Sequence, residues 1–140
     1  MKIFAFLALF MLVLCGSVAC KKNKGPLRPT SGIYRGVFSR ILSNGDTTNT
    51  GIVHLAMTEA SNSYSLRGDT SSNTPYSCSG IYKVLDGNDI EFTNKAALEP
   101  GIMNPYFVLD TIFEYKFLDS TFVLEFENDE IIYRYDLSRF

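Results

Sequence analysis

Strict alternation of apolar and polar residues dominates the chain from residue 31 onward. Phe113, Tyr115 and Phe117 follow one another at every second position, with Glu114 and Lys116 between them. Successive side chains of a β-strand point to opposite faces, so this spacing builds one apolar face and one wet face. The same alternation recurs twice more before the C-terminus, and no stretch carries a convincing helical period. The pattern predicts an all-β domain.

Turn-forming residues divide these runs at regular intervals. Asn, Asp and Gly cluster at 43–46, 86–89 and 128–129, and they accept the positive φ that tight hairpins require. We expect a single helical turn at most, within 95–103. The spacing predicts eight strands, at 32–42, 50–58, 62–68, 77–85, 89–94, 106–117, 120–127 and 130–138.

Eight short antiparallel strands joined mostly by hairpins favour an up-and-down meander. Such a sheet exposes two edge strands unless it closes, and eight strands close into a barrel that holds side chains or one small ligand. A β-sandwich is the alternative architecture. We expect the closed eight-stranded antiparallel barrel, with the 95–106 segment as a candidate lid over one mouth.

The N-terminus has the features of an export signal. Lys2 is followed by an unbroken apolar run, 3–14, and then by small residues up to Ala19. A charged start, a short apolar stretch and a small-residue cleavage region are typical of a signal peptide. An uncleaved membrane helix needs about 20 apolar residues. Simple secretion is a second alternative, because Ser17 and Ala19 also suit an ordinary cleavage site.

A cysteine directly after Ser17-Val18-Ala19 resembles the bacterial lipoprotein signal, in which cleavage precedes a lipid-carrying cysteine. The resemblance implies lipid attachment at Cys20 and a membrane partner through that lipid. It divides the chain into a signal peptide (1–19), a lipidated Cys with a basic, Pro-broken linker (20–30) and a barrel domain (31–140). The linker cannot bury a core and is expected to act as a tether.

Charge separates the linker from the domain. Residues 31–140 hold eight Lys and Arg against all 15 Asp and Glu, so eight minus 15 gives −7. A domain this acidic is not expected to bind nucleic acid, whose phosphates require basic patches. The linker's basic residues either rest on anionic lipid headgroups or form a solvated spacer.

Short motifs carry a second family resemblance. The segments 32–36 (GIYRG), 78–82 (CSGIY), 92–94 (FTN) and 135–139 (YDLSR) occur in order along the domain. They resemble the lipocalin-like lipoproteins of Bacteroidetes-type bacteria. The resemblance implies a lipocalin-like barrel, a cell-envelope address and no established activity. It also implies that Arg139 packs over the ring of Tyr34 in a cation–π contact.

The same resemblance bears on location and on cysteine use. The Lys-rich start of the linker lacks the acidic residues associated with surface export in such bacteria, so we expect an outer-membrane lipoprotein facing the periplasm. Relatives of this kind often carry a second cysteine after the Phe-Thr-Asn strand, where this chain has Lys95 and Ala96. Cys78 then has no disulfide partner once Cys20 is lipidated. A small buried hydrophobe is its expected role.

Catalytic and metal-binding patterns are weak in this sequence. His54 is the only histidine and has no carboxylate at ligand spacing. The acidic tip made by Glu125, Glu127, Asp129 and Glu130 is either a loose cation site or a solvated hairpin end. We therefore assign no catalytic residue, metal or cofactor and expect a non-enzymatic monomer.

The remaining signal is aromatic: 11 Phe and 8 Tyr with no Trp. Tyrosine hydroxyls on an apolar inner wall can orient a small apolar or aromatic ligand, but the same rings can also simply fill a short barrel. The candidate ligand contacts are Tyr34, Phe38, Tyr82, Phe92, Phe113, Tyr115, Phe122, Tyr133 and Tyr135, with Phe126 on the same face.

Two functional classes follow. The first is a tethered module that binds a small molecule inside the barrel. The second is an envelope protein–protein interaction module, such as a hydrolase inhibitor, with a solid core and an exposed patch near 44–50 or 69–76.

Overall fold

A computed structural model describes residues 27–69, 75, 77–97 and 108–140. One 3₁₀ turn, Glu59–Ser61, accompanies the strands. The eight strands are β1 (Gly32–Leu42), β2 (Thr47–Thr58), β3 (Ser63–Gly68), β4 (Cys78–Val84), β5 (Asp89–Asn94), β6 (Ile112–Leu118), β7 (Thr121–Asn128) and β8 (Ile131–Arg139).

The eight strands form one closed barrel in sequence order. Each strand is antiparallel to the next, and β1 pairs with β8 from Tyr34–Arg139 to Leu42–Ile131. The predicted up-and-down barrel is confirmed. Because every strand has both neighbours within 32–139, the barrel is complete without any residue of the linker.

Two strand starts differ from the sequence-based prediction by more than one residue, and all other strand ends agree to within one. The second strand begins at Thr47 rather than at residue 50, because its polar start continues the ladder with β1 across a bulge near Arg40. The sixth begins at Ile112 rather than at 106. Val108 and Leu109, which precede it, are buried outside any strand. Most of the segment predicted to hold one helical turn, 95–103, lies outside the described residues.

The two ends of the barrel differ in what covers them. The linker end carries residues 27–31, the turns 59–62, 85–88 and 119–120, and the C-terminus. The far end carries the turns 43–46 and 129–130 and the longer connections from β3 to β4 and from β5 to β6. Positive φ values occur at Gly45, Asn62, Gly87, Asp119, Asp129 and Glu130, all of them in turns.

Two glycines allow strands to approach more closely than any side chain would permit. A Cβ placed on Gly36 would lie 1.8 Å from the carbonyl oxygen of Asp136, and one on Gly80 would lie 1.9 Å from that of Thr93. The first contact lies at the junction of β1 and β8. Closure of the barrel therefore depends directly on a glycine in the Gly-Ile-Tyr-Arg-Gly segment.

The outer surface of β6, β7 and β8 carries an ion-pair network. Glu125 accepts from Lys116 Nζ at 2.6 Å and from Arg134 Nη1 at 3.1 Å, and Arg134 also pairs with Asp136 at 2.7 Å. Val123 alternates with the inward residues Phe122 and Leu124, yet it is fully buried, between Lys116 and Asp136 in register. Within the described ranges no helix is long and apolar enough to span a bilayer.

Candidate functional site

All nine candidate ligand contacts lie inside the barrel. None of them is more than 5% exposed. They come from β1, β4, β5, β6, β7 and β8, whose alternation turns one face of each strand inward. The structure thus brings the whole predicted set together, while its role in ligand binding stays a prediction.

The interior rings contact one another in a continuous series. Phe38 and Tyr135 lie 5.0 Å apart between centroids, and Tyr135 meets Phe113 edge-on at 5.8 Å. Phe113 in turn contacts Phe92 at 5.8 Å, and Phe92 contacts Tyr64 at 5.0 Å. Offset and edge-to-face pairs at these separations each stabilise the core by about 1 kcal/mol beyond area burial. Much of the described interior is therefore filled by rings.

Three interior tyrosine hydroxyls find no partner among the described residues. The Oη atoms of Tyr82, Tyr115 and Tyr135 are shielded from solvent, and no described residue forms a hydrogen bond with them. A buried hydroxyl left unpaired costs about 1–3 kcal/mol, so native proteins normally supply a partner. These three atoms are therefore candidate contacts for a polar group of a ligand.

Two other interior tyrosines have hydrogen-bond partners for their hydroxyls. Tyr34 Oη donates to the carbonyl oxygen of Thr30 at 2.7 Å, in the linker. Tyr64 Oη donates to the carbonyl oxygen of Leu109. Neither Tyr64 nor Leu109 was predicted as a site residue. Tyr64 alternates with Leu66 along β3, so its inward direction was visible in the sequence. No local pattern predicted that Leu109 would accept the Tyr64 hydrogen bond.

A polar cluster forms where Leu109 covers the far end. The Cys78 thiol lies against Tyr64 Oη and the Leu109 backbone, and burial raises the pKa of that thiol. Burial also raises the pKa values of Tyr64 and Tyr135. All three groups therefore stay neutral at physiological pH and act as hydrogen-bonding groups. Cys78 is buried and free, with no disulfide.

The Tyr34–Arg139 pairing expected from the family resemblance is present in the register of β1 and β8. The guanidinium donates from Nη2 to the Ser31 carbonyl at 2.8 Å and from Nη1 to Thr30 Oγ1 at 3.4 Å. Its described bonds thus hold the linker rather than the ring, and the cation–π contact stays a prediction. Tyr34 and Arg139 together fix residues 30 and 31 across the linker end.

Two open clefts flank the linker at this end. The larger, about 520 Å³, is bordered by Arg28, Glu59, Tyr82 and Lys83 among others. The smaller, about 250 Å³, is bordered by Leu27, Asn88, Tyr115, Lys116 and Phe117. Tyr82 and Tyr115, two of the residues with unpaired hydroxyls, therefore reach the walls of these clefts. Tyr135 is completely buried away from them.

Several predicted features fall elsewhere. The candidate lid (95–106) and the 69–76 patch lie mostly outside the described residues, and so does Cys20. The exposed 44–50 patch is a polar turn that runs into β2. Exposed apolar side chains lie instead on strand faces, notably Ile33, Val37 and Ile52.

The candidate metal sites gain no support from the geometry. His54 is exposed on β2 opposite Arg35 and Arg67 in register. Glu125, one member of the acidic tip, is held by Lys116 and Arg134. In the part of the chain that the structure describes, no group of three or more His, Cys, Asp or Glu side chains could hold a metal ion.

Fold and site together define a closed, antiparallel eight-stranded β-barrel with clustered aromatic side chains inside. Comparison with protein-family models, curated proteins and solved structures finds no match for this chain.

Proposed function

We propose that this chain is a membrane-tethered, lipocalin-like lipoprotein that binds a small apolar or aromatic molecule inside the barrel. The observation that carries the proposal is the hydroxyl of Tyr135, which is completely buried among the interior rings and has no partner among the described residues. A ligand with an apolar body and a polar group would contact the rings with one part and satisfy a hydroxyl with the other. The proposed role is binding and not catalysis.

The tether places this module at a membrane. Lipid on Cys20 would anchor the chain, and the ten residues from Lys21 to Thr30 would span at most about 35 Å when extended. The linker joins the barrel at the end where Arg139 and Tyr34 hold it. We propose the periplasmic face of the outer membrane as its location, on the basis of the signal and the basic linker.

Native mass spectrometry of the protein purified from its own host tests the binding proposal directly. A bound small molecule should appear as a discrete added mass. Displacement of the aromatic fluorophore N-phenylnaphthylamine provides a second measurement that needs no knowledge of the ligand.

Two tyrosine variants make the test specific. Tyr135→Phe removes an unpaired hydroxyl, so it should weaken probe binding about tenfold while leaving stability unchanged or raised by about 1 kcal/mol. Tyr64→Phe is the matched control, because Tyr64 is not one of the candidate ligand contacts. It removes a hydroxyl bonded to the Leu109 carbonyl, so it should lower stability and leave probe binding intact. A protein that carries no added mass and takes up no probe would refute the proposal.

The interaction module is the second candidate, because much of the described interior is filled by rings and apolar side chains are exposed outside. Val37 and Ile52 face each other across β1 and β2 and are 43% and 41% exposed. The same experiment separates the two candidates, since an interaction module with a solid core takes up no probe.

A further inference from the structure

The larger cleft at the linker end has a chemistry different from that of the interior. Its volume is about 520 Å³, and it opens to solvent between the linker, the 59–62 turn and β4. Its walls are Arg28, Pro29, Glu59, Ser61, Asn62, Ile81, Tyr82, Lys83 and Val84. Three of these side chains are charged and three offer hydroxyl or amide donors, so the cleft suits a polar, charged group.

Two of the charged side chains are cations without a counterion. Among the ion pairs of the described residues, none involves Arg28 or Lys83. Glu59 supplies one negative charge, so the three groups sum to +1. A singly charged anion would neutralise a cleft with this balance, and the two cations could form charge-assisted hydrogen bonds to it.

A buried polar atom points independently to a ligand at the same place. Tyr82 is 5% exposed and lines the cleft, and its hydroxyl has no partner in the part of the chain that the structure describes. Burial and the nearby Glu59 carboxylate both raise the pKa of Tyr82, which keeps the hydroxyl protonated and able to donate. An anion in the cleft would accept that hydrogen bond.

We propose that this cleft binds the phosphodiester group of a phosphate-bearing molecule. A phosphodiester carries one negative charge, accepts several hydrogen bonds and has apolar or polar substituents on both sides. Arg28 and Lys83 would neutralise it, and Tyr82, Ser61 and Asn62 would donate to its oxygens. Ile81 and Val84 would contact the substituents.

The position of the cleft makes a lipid headgroup one source of such a group. Arg28 and Pro29 belong to the linker itself, and Cys20 lies only eight residues before Arg28. A bilayer that holds a lipid on Cys20 would therefore lie within about 30 Å of the cleft. A soluble glycerophosphodiester is the other source. This lipid source rests on the proposed tether, whereas the cleft chemistry does not.

The test uses the chain from Lys21 onward without lipid, which contains the complete barrel. One arm titrates glycerophosphoglycerol by isothermal calorimetry. The other arm measures sedimentation with phosphatidylglycerol vesicles and with phosphate-free galactolipid vesicles. Binding of glycerophosphoglycerol in the calorimetric arm identifies a free phosphodiester as the ligand. Binding to phosphatidylglycerol vesicles, without binding of glycerophosphoglycerol or of galactolipid vesicles, identifies a lipid headgroup.

The double variant Arg28→Gln, Lys83→Gln should weaken whichever binding is seen by about tenfold or more. Tyr82→Phe should weaken it several-fold while the protein stays folded. The matched control is Arg67→Gln, Lys95→Gln, which makes the same charge change at the far end and should leave binding within about twofold.

Two results would overturn the proposal. In the first, the wild-type chain binds neither probe. In the second, the far-end control loses as much affinity as the cleft variant, which would mean that only net charge matters. Neither measurement uses the interior probe or the lipid on Cys20, so failure here is separate from failure of the proposed function.

Discussion

Two seams of the barrel are built very differently. The seam between β1 and β8 pairs continuously from Tyr34–Arg139 to Leu42–Ile131. The seam between β5 and β6 pairs only from Asp89–Glu114 to Glu91–Ile112. Ladder length sets how many hydrogen bonds must break together for strands to part. The junction of first and last strands is therefore the strong one, and the barrel should open first at β5–β6.

Outer-face charges add to the weakness of the β5–β6 seam, whereas favourable ion pairs lie on the neighbouring strands. Arg134 on β8 bonds both Asp136 and Glu125, which ties β8 to β7. At the weak seam Asp89 and Glu114 face each other directly, and both line a cleft of about 300 Å³ together with Glu125 and Glu127. Like charges directly opposite destabilise a strand pair.

The interior partly offsets the weakness. The ring of Phe92 on β5 contacts that of Phe113 on β6 edge-on, and Phe113 also contacts Tyr135 on β8 edge-on. Below the short ladder, the Phe92 amide also donates to the Thr111 carbonyl at 2.9 Å. The Tyr115 amide donates to the Asn88 carbonyl at 2.6 Å at the other end of the ladder, so backbone bonds and ring contacts both support the short seam.

The largest expected effect comes from Gly36→Ala in the strong seam. The new Cβ would overlap the Asp136 carbonyl, so β1 and β8 must separate. We expect a loss on the order of 3 kcal/mol in the free energy of unfolding, or no folded protein.

Denaturant unfolding measures the effect of Gly36→Ala against Gly45→Ala as control. Gly45 has open space around it but a φ of +88°, so alanine there should cost only about 1 kcal/mol. A loss below that of the control would show that the strong seam tolerates separation.

The closed barrel was foreseeable from the sequence, and the short ladder between β5 and β6 was not. Alternation at Phe113, Tyr115 and Phe117 gave the inward face, and the hairpin residues gave the number of strands. The apolar run before Ile112 matched a strand by composition. However, Leu109 is buried outside the sheet, because it caps the far end and accepts from Tyr64.

The positions of the candidate site residues could be predicted from the sequence, but the partners of their hydroxyls could not. Period-two patterning placed all nine aromatic residues inside, since that depends only on local geometry. Which hydroxyls find partners depends on distant segments. Tyr34 is satisfied by the linker and Tyr135 is not. No local pattern encodes that distinction, nor the meeting of Arg28 with Lys83 at one cleft.

Hydrogen exchange should show the difference between the seams without any mutation. Amides of β1 and β8 that bond across the strong seam should exchange roughly a hundredfold more slowly than the amides of Ile90 and Phe113. Mass spectrometry or NMR of the native protein measures this. Because Ile90 and Phe113 are fully buried, fast exchange there reports opening of the seam rather than simple exposure. Equal protection at both seams would contradict the comparison.

The smallest effect should come from reversing one charge at the weak seam. Glu114 lies between Asp89 on β5 and Glu125 on β7 in register. Glu114→Lys would turn two like-charge neighbours into opposite-charge ones. We expect a gain of about 0.5–1 kcal/mol in the free energy of unfolding and slower exchange at the Ile90 amide.

Glu127→Lys is the control, because it makes the same change in net charge opposite the uncharged Ile132. Its free energy of unfolding should therefore rise less. Since salt screens exposed charges, the excess of the first variant over the second should shrink at high ionic strength. An equal gain in both variants would assign the effect to net charge and leave the short ladder as the sole cause of the weak seam.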